Sequence, residues 1–505
     1  MVAAHDINRR DFLKIGGLGV AGAYLAGCSF GGDPAAAEQA LQAAFAQPIN
    51  DLDPHGPSSV DESTLIAGRL IYDTLTHRVG DKLEPSVATS WEQTDPKTWT
   101  FKLRDDVKFH DGSPLTARDV AASVERVRDA GGAQSPLWIG VKAEAPDNQT
   151  LRVTTEAPLG TVPQNFSILY IVPASKMNQK GFFDKPIGSG PFKVKSFTPA
   201  DKLEVTAVDH WDGKPKLKSV TVPYIPETSS QITALRTRDV HILWPIPPDQ
   251  VQELKGVDGV ELETVPSYNY YFNWFNCGRK PFDDPRVRRA MWQAADVAGT
   301  VKNLFGNGAK VMTAPIPDTV FGHAAQQPYE YDPDAAKKAL AEAGLKDGFS
   351  TTLMWFDDTG PLANEFAQAL ISDWSKVGIK VEPERLEKAE WLRRLTEKDF
   401  DMELQTNTVT TADADFTLGR LYDSAADRMN YQNPELDKIL RAAHEDSDKG
   451  RREELYSQAC KIIWEDAVGI FPAALISSYG RRTTVNGFDP APNNQPDLRG
   501  VTITE

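Results

Sequence analysis

Residues 83–120 read LEPSVATSWEQTDPKTWTFKLRDDVKFHDGSPLTARDV, and the reading of this stretch decides the fold. Trp99-Thr100-Phe101-Lys102-Leu103-Arg104 alternates apolar and polar residues, the two-residue period of a half-buried strand. Val107-Lys108-Phe109 runs into His110-Asp111-Gly112, where Asp-Gly marks a turn. Leu115 to Val120 then opens a helix with Thr116 as its N-cap. His110 and Asp111 could suggest an acid/base pair or a metal ligand. Neighbours in an extended stretch point to opposite faces, however, so a structural turn is expected.

Outward from this stretch the same alternation of element types continues. A helix-like run spans Glu62 to Leu75, and Gly188 and Gly190 flank a turn that demands either positive φ or close backbone approach. Thr351 to Trp355, a loop at Gly360-Pro361, a helix carrying Leu362, Phe366, Leu370 and Val377, and Ile379-Lys380-Val381 form a βαβ unit with one helix face on a sheet. Leu436, Ile439, Leu440 and Ala443 repeat at helical spacing, as do Leu455, Ala459, Ile462 and Ile463. The class is α/β.

The N-terminus has another purpose. Arg9-Arg10-Asp11-Phe12-Leu13-Lys14 precedes a weakly apolar, glycine-rich run, Ile15 to Tyr24, followed by Leu25-Ala26-Gly27-Cys28. Charge, apolar run and small residues in that order make an export signal, residues 1–27, and the run is shorter than the roughly 20 apolar residues a membrane-spanning helix needs. Arg9, Arg10, Phe12 and Leu13 resemble a twin-arginine motif, with the Tat and Sec routes both left open. Leu25 to Cys28 resembles a bacterial lipobox, whose cysteine is acylated and becomes the mature N-terminus. Residues 28–38 read as a tether, Gly/Pro/Ala-rich from Ser29 to Ala36.

Of 505 residues, 478 remain after the signal, enough for about three domains or one large bilobed body on the length prior. Their formal charge is −17, since the whole chain carries −16 and the signal +1. So acidic a body, with no basic stripe, excludes non-specific nucleic-acid binding. Past Cys28 only Cys277 and Cys460 remain; they read as two buried thiols, one disulfide being the alternative. No CxxC, HExxH, GxSxG or P-loop pattern occurs, so neither a metal site nor a cofactor nor a catalytic centre is expected. Arg286, Arg288 and Arg289 could bind an anionic ligand, but a solvated, partly salt-bridged helix face is expected.

The stretch quoted at the outset resembles the signature of the dipeptide/oligopeptide-binding family of solute receptors for ABC importers. Ile187-Gly188-Ser189-Gly190-Pro191-Phe192, Asp209-His210-Trp211-Asp212-Gly213-Lys214-Pro215, Pro281-Phe282-Asp283-Asp284-Pro285-Arg286-Val287-Arg288 and Tyr431-Gln432-Asn433-Pro434-Glu435-Leu436-Asp437 resemble further family motifs, in the expected order. The resemblance implies a bilobed periplasmic-binding-protein type II fold. Lobe I would take residues 39–265 and 470–505, with a subdomain at about 61–185, and lobe II residues 266–469. It also implies a monomer outside the membrane or in the periplasm, held there by lipid, which captures a peptide between its lobes and delivers it to the permease. Tyr268, Tyr270, Asn273, Trp355, Gln405 and Asn407 are the expected ligand contacts, half of the aromatic crossing being packing because alternate strand residues face opposite ways.

One segment departs from the family. Peptide-binding members place an amine-binding aspartate in a stretch resembling GW-x-x-D-x-x-DP, and residues 404–416, LQTNTVTTADADF, lack the Gly-Trp pair. A register anchored on Leu421-Tyr422 puts Thr410 at the amine position and makes Asp413 and Asp415 a structural acidic pair. A shift of a few residues puts Asp413 there instead. Other ligand classes therefore stay open (glutathione, an opine, an oligosaccharide, chelated nickel), as does a secreted hydrolase on the same scaffold. Replacing Cys28 by Ala is expected to remove the acyl mass from the mature protein and release it from the membrane fraction, read by intact-mass spectrometry after fractionation.

Overall fold

The computed structural model describes residues 39–79, 82–356 and 359–504. Arg9, Arg10, Phe12, Leu13 and Cys28 lie outside the described residues. Among those described, an eleven-stranded sheet organises the chain. Its order is Ile379–Leu386, Phe349–Phe356, Met402–Thr408, Val260–Phe275, Gly469–Arg482, Ile242–Trp244, Ala40–Phe45, Ser219–Pro223, Lys202–Ala207 and Phe192–Thr198, with Ala309–Val311 also paired to Gly469–Arg482. The expected βαβ unit is present: Phe349–Phe356 and Ile379–Leu386 pair in parallel around the helix Ala363–Ser375.

Two long strands run through the middle. Val260–Phe275 and Gly469–Arg482 pair antiparallel from Val260↔Arg482 to Trp274↔Gly469. The ladder shifts register between Pro266 and Tyr270 and again between Tyr271 and Asn273, beside Pro472, which has no N–H to give. Apolar packing changes partner along this pair. Residues from Tyr268 to Leu475 form one core, and residues 41–72, 170–222 and 479–501 supply most of a second. The chain therefore passes between these cores just before Tyr268 and just after Leu475.

The opening stretch builds a third core, residues 75–171. The strand Thr98–Leu103 buries Trp99, Phe101 and Leu103 on one face, as its alternation requires. It joins a four-stranded sheet, Ala88–Asp95, Thr98–Leu103, Thr150–Thr155 and Val141–Glu144 in order. The helix Ala117–Asp129 covers it, its start closed by the Asp119 carboxylate, which accepts from the Thr116 N–H at 2.9 Å. His110 belongs to a turn: its Nε2 donates to the Gly190 carbonyl at 2.9 Å, and Nδ1 accepts from the Gly188 N–H at 3.2 Å.

Four readings are refined. The first helix covers Glu62–Ile71 and stops short of Leu75, because the Ile71 carbonyl turns to the Gly190 N–H at 2.9 Å. Arg288 is not on a solvated face. It is buried and caps the end of the helix Lys449–Glu465, donating to the Asp466 carbonyl at 2.7 and 3.0 Å. Cys277 and Cys460 are both free thiols, Cys460 fully buried. Close approach, not positive φ, accounts for Gly188: a Cβ there would sit 1.8 Å from the Ile71 carbonyl oxygen. Gly188→Ala is expected to destabilise the protein by about 1–3 kcal/mol through this overpacking, read as a lower midpoint of thermal unfolding.

Candidate functional site

Opposite residues of an antiparallel pair share a sheet face, so the pairing of Val260–Phe275 with Met402–Thr408 sorts the expected contacts. Tyr270 faces Asn407, Phe272 faces Gln405 and Trp274 faces Glu403 on one side; Tyr271, Asn273 and their partners take the other. Tyr270 is fully buried, its ring 5.8 Å from Phe272, and its hydroxyl has no hydrogen-bond partner among the described residues. Asn407 Nδ2 donates to Thr417 Oγ1 at 3.3 Å, and its Oδ1 accepts from Arg420 at 2.7 Å. Gln405 donates to Glu403 at 2.5 Å, and burial pushes the Glu403 carboxyl up to about 8. Asn273 is buried beside the Trp274 carbonyl, and the Trp355 indole donates to Asn364 Oδ1 at 2.8 Å. None of these five lines the cavity described next; they belong to the packing and polar bonding of the 268–475 core.

Tyr268 and Thr410 do line it. They close one side of a cavity of about 540 Å³ whose other walls come from residues 69–86, 167–212 and 489–499. Asp73, Trp211 and His210 meet there: the Asp73 carboxylate accepts from His210 Nε2 at 3.1 Å and from the Trp211 indole at 3.2 Å. Arg69 donates to His77 Nδ1 at 2.8 Å. Burial first, then the Arg69 and Arg499 guanidiniums, push His77 down to about 4, so at neutral pH it is an uncharged acceptor. Arg499 holds Asp497 at 2.9 Å and pairs also with Asp212. Burial works against the Asp497 charge, but Arg499 outweighs it and brings that carboxyl down to about 2. Glu84 and Asp489 add carboxylates to the wall. Sequence reading passed over Arg69, Asp73, His77 and Arg499, which carry no motif of their own; Asp209-His210-Trp211 was the available signal.

Asp413 is engaged elsewhere. Its carboxylate caps the helix Ala414–Tyr422, accepting from the Asp415 N–H at 3.0 Å, and takes both terminal nitrogens of Arg452 at 2.5 and 3.0 Å. Both side chains are 3% exposed, and Asp413 does not line the cavity. Asp415, two residues on, accepts from Tyr456 at 3.1 Å and meets His444 Nδ1 at 3.0 Å. Burial opposes its charge, but His444 and Arg452 outweigh burial and hold the carboxyl below its ordinary range.

A sheet shared by two cores, with a polar cavity between them, defines a bilobed solute-binding protein of the periplasmic type II fold. The family model “Bacterial extracellular solute-binding proteins, family 5 Middle” matches residues 82–428, and the chain belongs to this family of ABC-importer binding proteins. It is 31% identical over 414 residues to the Escherichia coli strain K12 “Probable D,D-dipeptide-binding periplasmic protein DdpA”, covering 78% of this chain and 80% of that one. It is 28% identical over 452 residues to the “Glutathione-binding protein GsiB” of Pectobacterium atrosepticum, covering 84% and 86%. Among solved structures, the Helicobacter pylori periplasmic binding protein DppA in complex with peptide STSA superposes with TM-score 0.79 at 26% identity, over 92% of this chain and 98% of that one. These relatives are binding proteins of transporters, and none is an enzyme by name.

Arg452→Met is expected to strand a buried Asp413 carboxylate and lower stability by about 3–5 kcal/mol. Thr410→Val is expected to leave the unfolding midpoint nearly unchanged and to alter solute affinity. Calorimetric unfolding with and without solute separates the two.

Proposed function

We propose that this protein captures a short peptide in the cavity between its lobes, as the receptor of an ABC importer, and delivers it to the membrane permease. Residues 39–265 and 470–505 act as lobe I and residues 266–469 as lobe II. The crossings at Pro266 to Asn276 and Ile470 to Ala474 serve as the hinge. The protein works as a monomer, tethered through Cys28 to the outer side of the membrane.

The observation that carries this reading is a cavity of about 540 Å³ with both signs of charge on its wall. That volume falls in the roughly 300–1,000 Å³ range of small-molecule sites. Arg69 hydrogen-bonds to neutral His77 and holds no ion pair among the described residues, which leaves its charge for the peptide carboxylate. Among the described residues Glu84 and Asp489 hold no ion pair either, and they offer counter-charges to the α-ammonium, in the place of the family's aspartate. Tyr268 and Trp211 supply aromatic wall. Closure of the lobes on the solute selects the form with more contacts.

Glutathione is the second reading, favoured by the relatives that bear its name and by the second carboxylate it would present to Arg69 or Arg499. Titration calorimetry against D-alanyl-D-alanine, a set of L-dipeptides and glutathione tests both. The expected result is saturable binding of at least one, weakened about tenfold or more in Arg69→Met, the scale of a lost charge-assisted hydrogen bond. No binding of any of them, or binding indifferent to Arg69, would contradict the reading.

A further inference from the structure

Away from the cavity, the 75–171 core touches the 268–475 core at a small polar seam. Gly160 and Thr161 lie between Leu159 and Val162 of the first. The Gly160 N–H donates to the His444 carbonyl at 2.8 Å, and Thr161 Oγ1 donates to Asp415 Oδ2 at 3.1 Å. Nearby, Ser447 Oγ donates to Gln93 Oε1 at 2.6 Å. The fit is tight at the backbone: a Cβ on Gly160 would lie 1.7 Å from the Asp446 carbonyl oxygen, and the three atoms nearest to it all belong to Asp446 and Ser447.

The receiving side is held ready by its own bonds. Asp415 is fixed by His444 and Tyr456, and Arg452 donates to the Tyr456 hydroxyl at 3.2 Å while it grips Asp413. The Asp413–Arg452 pair thus has a use: it sets the start of the helix Ala414–Tyr422, which presents Asp415 to Thr161. No member of the seam lines the cavity.

We propose that Gln93, Gly160 and Thr161, with Asp415, His444 and Ser447, form a clasp that holds the lobes together independently of the solute, so that a fraction of the protein is closed before solute arrives. This rests on the reading of lobes that close on a solute. Among the described residues the chain joins the cores near Tyr268 and Leu475, so bending there separates residues 93 and 160–161 from 415, 444 and 447 and breaks all three hydrogen bonds. Because no solute atom takes part, the clasp shifts the closed-to-open ratio by one factor whatever is bound, and apparent affinity scales with the closed fraction. Gly160, Thr161 and Asp415 are positioning residues for capture.

The test uses Gly160→Ala, whose methyl group meets the Asp446 carbonyl only when the lobes are shut, and Thr161→Val, which removes the hydroxyl donor. Small-angle X-ray scattering on solute-free protein is expected to give a larger radius of gyration for Gly160→Ala than for the parent, with a smaller change of the same sign for Thr161→Val. Titrations with glutathione and D-alanyl-D-alanine are expected to weaken about tenfold in Gly160→Ala, by the same factor for each solute that binds the parent. Unchanged far-UV circular dichroism separates loss of the clasp from misfolding. Identical solute-free scattering in parent and Gly160→Ala overturns the clasp, as do affinities that fall by different factors. If neither solute binds the parent, the capture reading is what suffers, and the solute-free scattering still decides the clasp.

Discussion

Everything in this molecule depends on the antiparallel pairing of Val260–Phe275 with Gly469–Arg482. A strand pair is stiff along its length, yet these two change core partway; their ladder slips register there, between Pro266 and Tyr270, and again inside the 268–475 core, between Tyr271 and Asn273. Pro472 and the irregularity beside it interrupt the hydrogen bonding within the stretch proposed as the hinge. The same pairing carries Tyr268 to the cavity wall and buries Tyr270 and Tyr271 on opposite faces two and three residues later.

Electrostatics divides the acidic residues between two tasks. In the 268–475 core, the Asp413–Arg452 pair is buried and closed on itself, where removing one partner costs far more than the pair contributes net. Around the cavity the charges are only partly matched. Arg499 is taken by Asp497 and Asp212, whereas Arg69 meets a neutral imidazole. A site with unspent charge suits a ligand that carries charge of its own, and a site with spent charge suits a scaffold. That contrast supports the proposal that Asp413 serves the framework and that the wall built by residues 69–84 and 489–499 holds the solute.

The fold was legible because its signals are local. Alternation at Trp99–Leu103, the Thr116 cap and the helical spacing of Leu436 and Leu440 each report one element, and residues 83–120 tie them to a family. The cavity was much less legible. Tyr268, Tyr270 and Asn273 are neighbours in sequence, yet of the three Tyr268 alone, at the register shift between Pro266 and Tyr270, lines the cavity. Arg69 and Arg499 lie 430 positions apart and meet at one wall only after the C-terminal segment folds back on the first lobe. Arg288 misled for the opposite reason: three arginines in four residues look like a wet face, yet one of them caps a helix from the far end of the domain. No periodicity encodes that.

The most direct test of solute capture is mass spectrometry of the small molecules released when protein purified from its own host is denatured. The account predicts short peptides or glutathione, in an amount approaching one per protein and sharply reduced in Arg69→Met. A neutral sugar or a metal complex in that amount, with Arg69→Met retaining it in full, would contradict it.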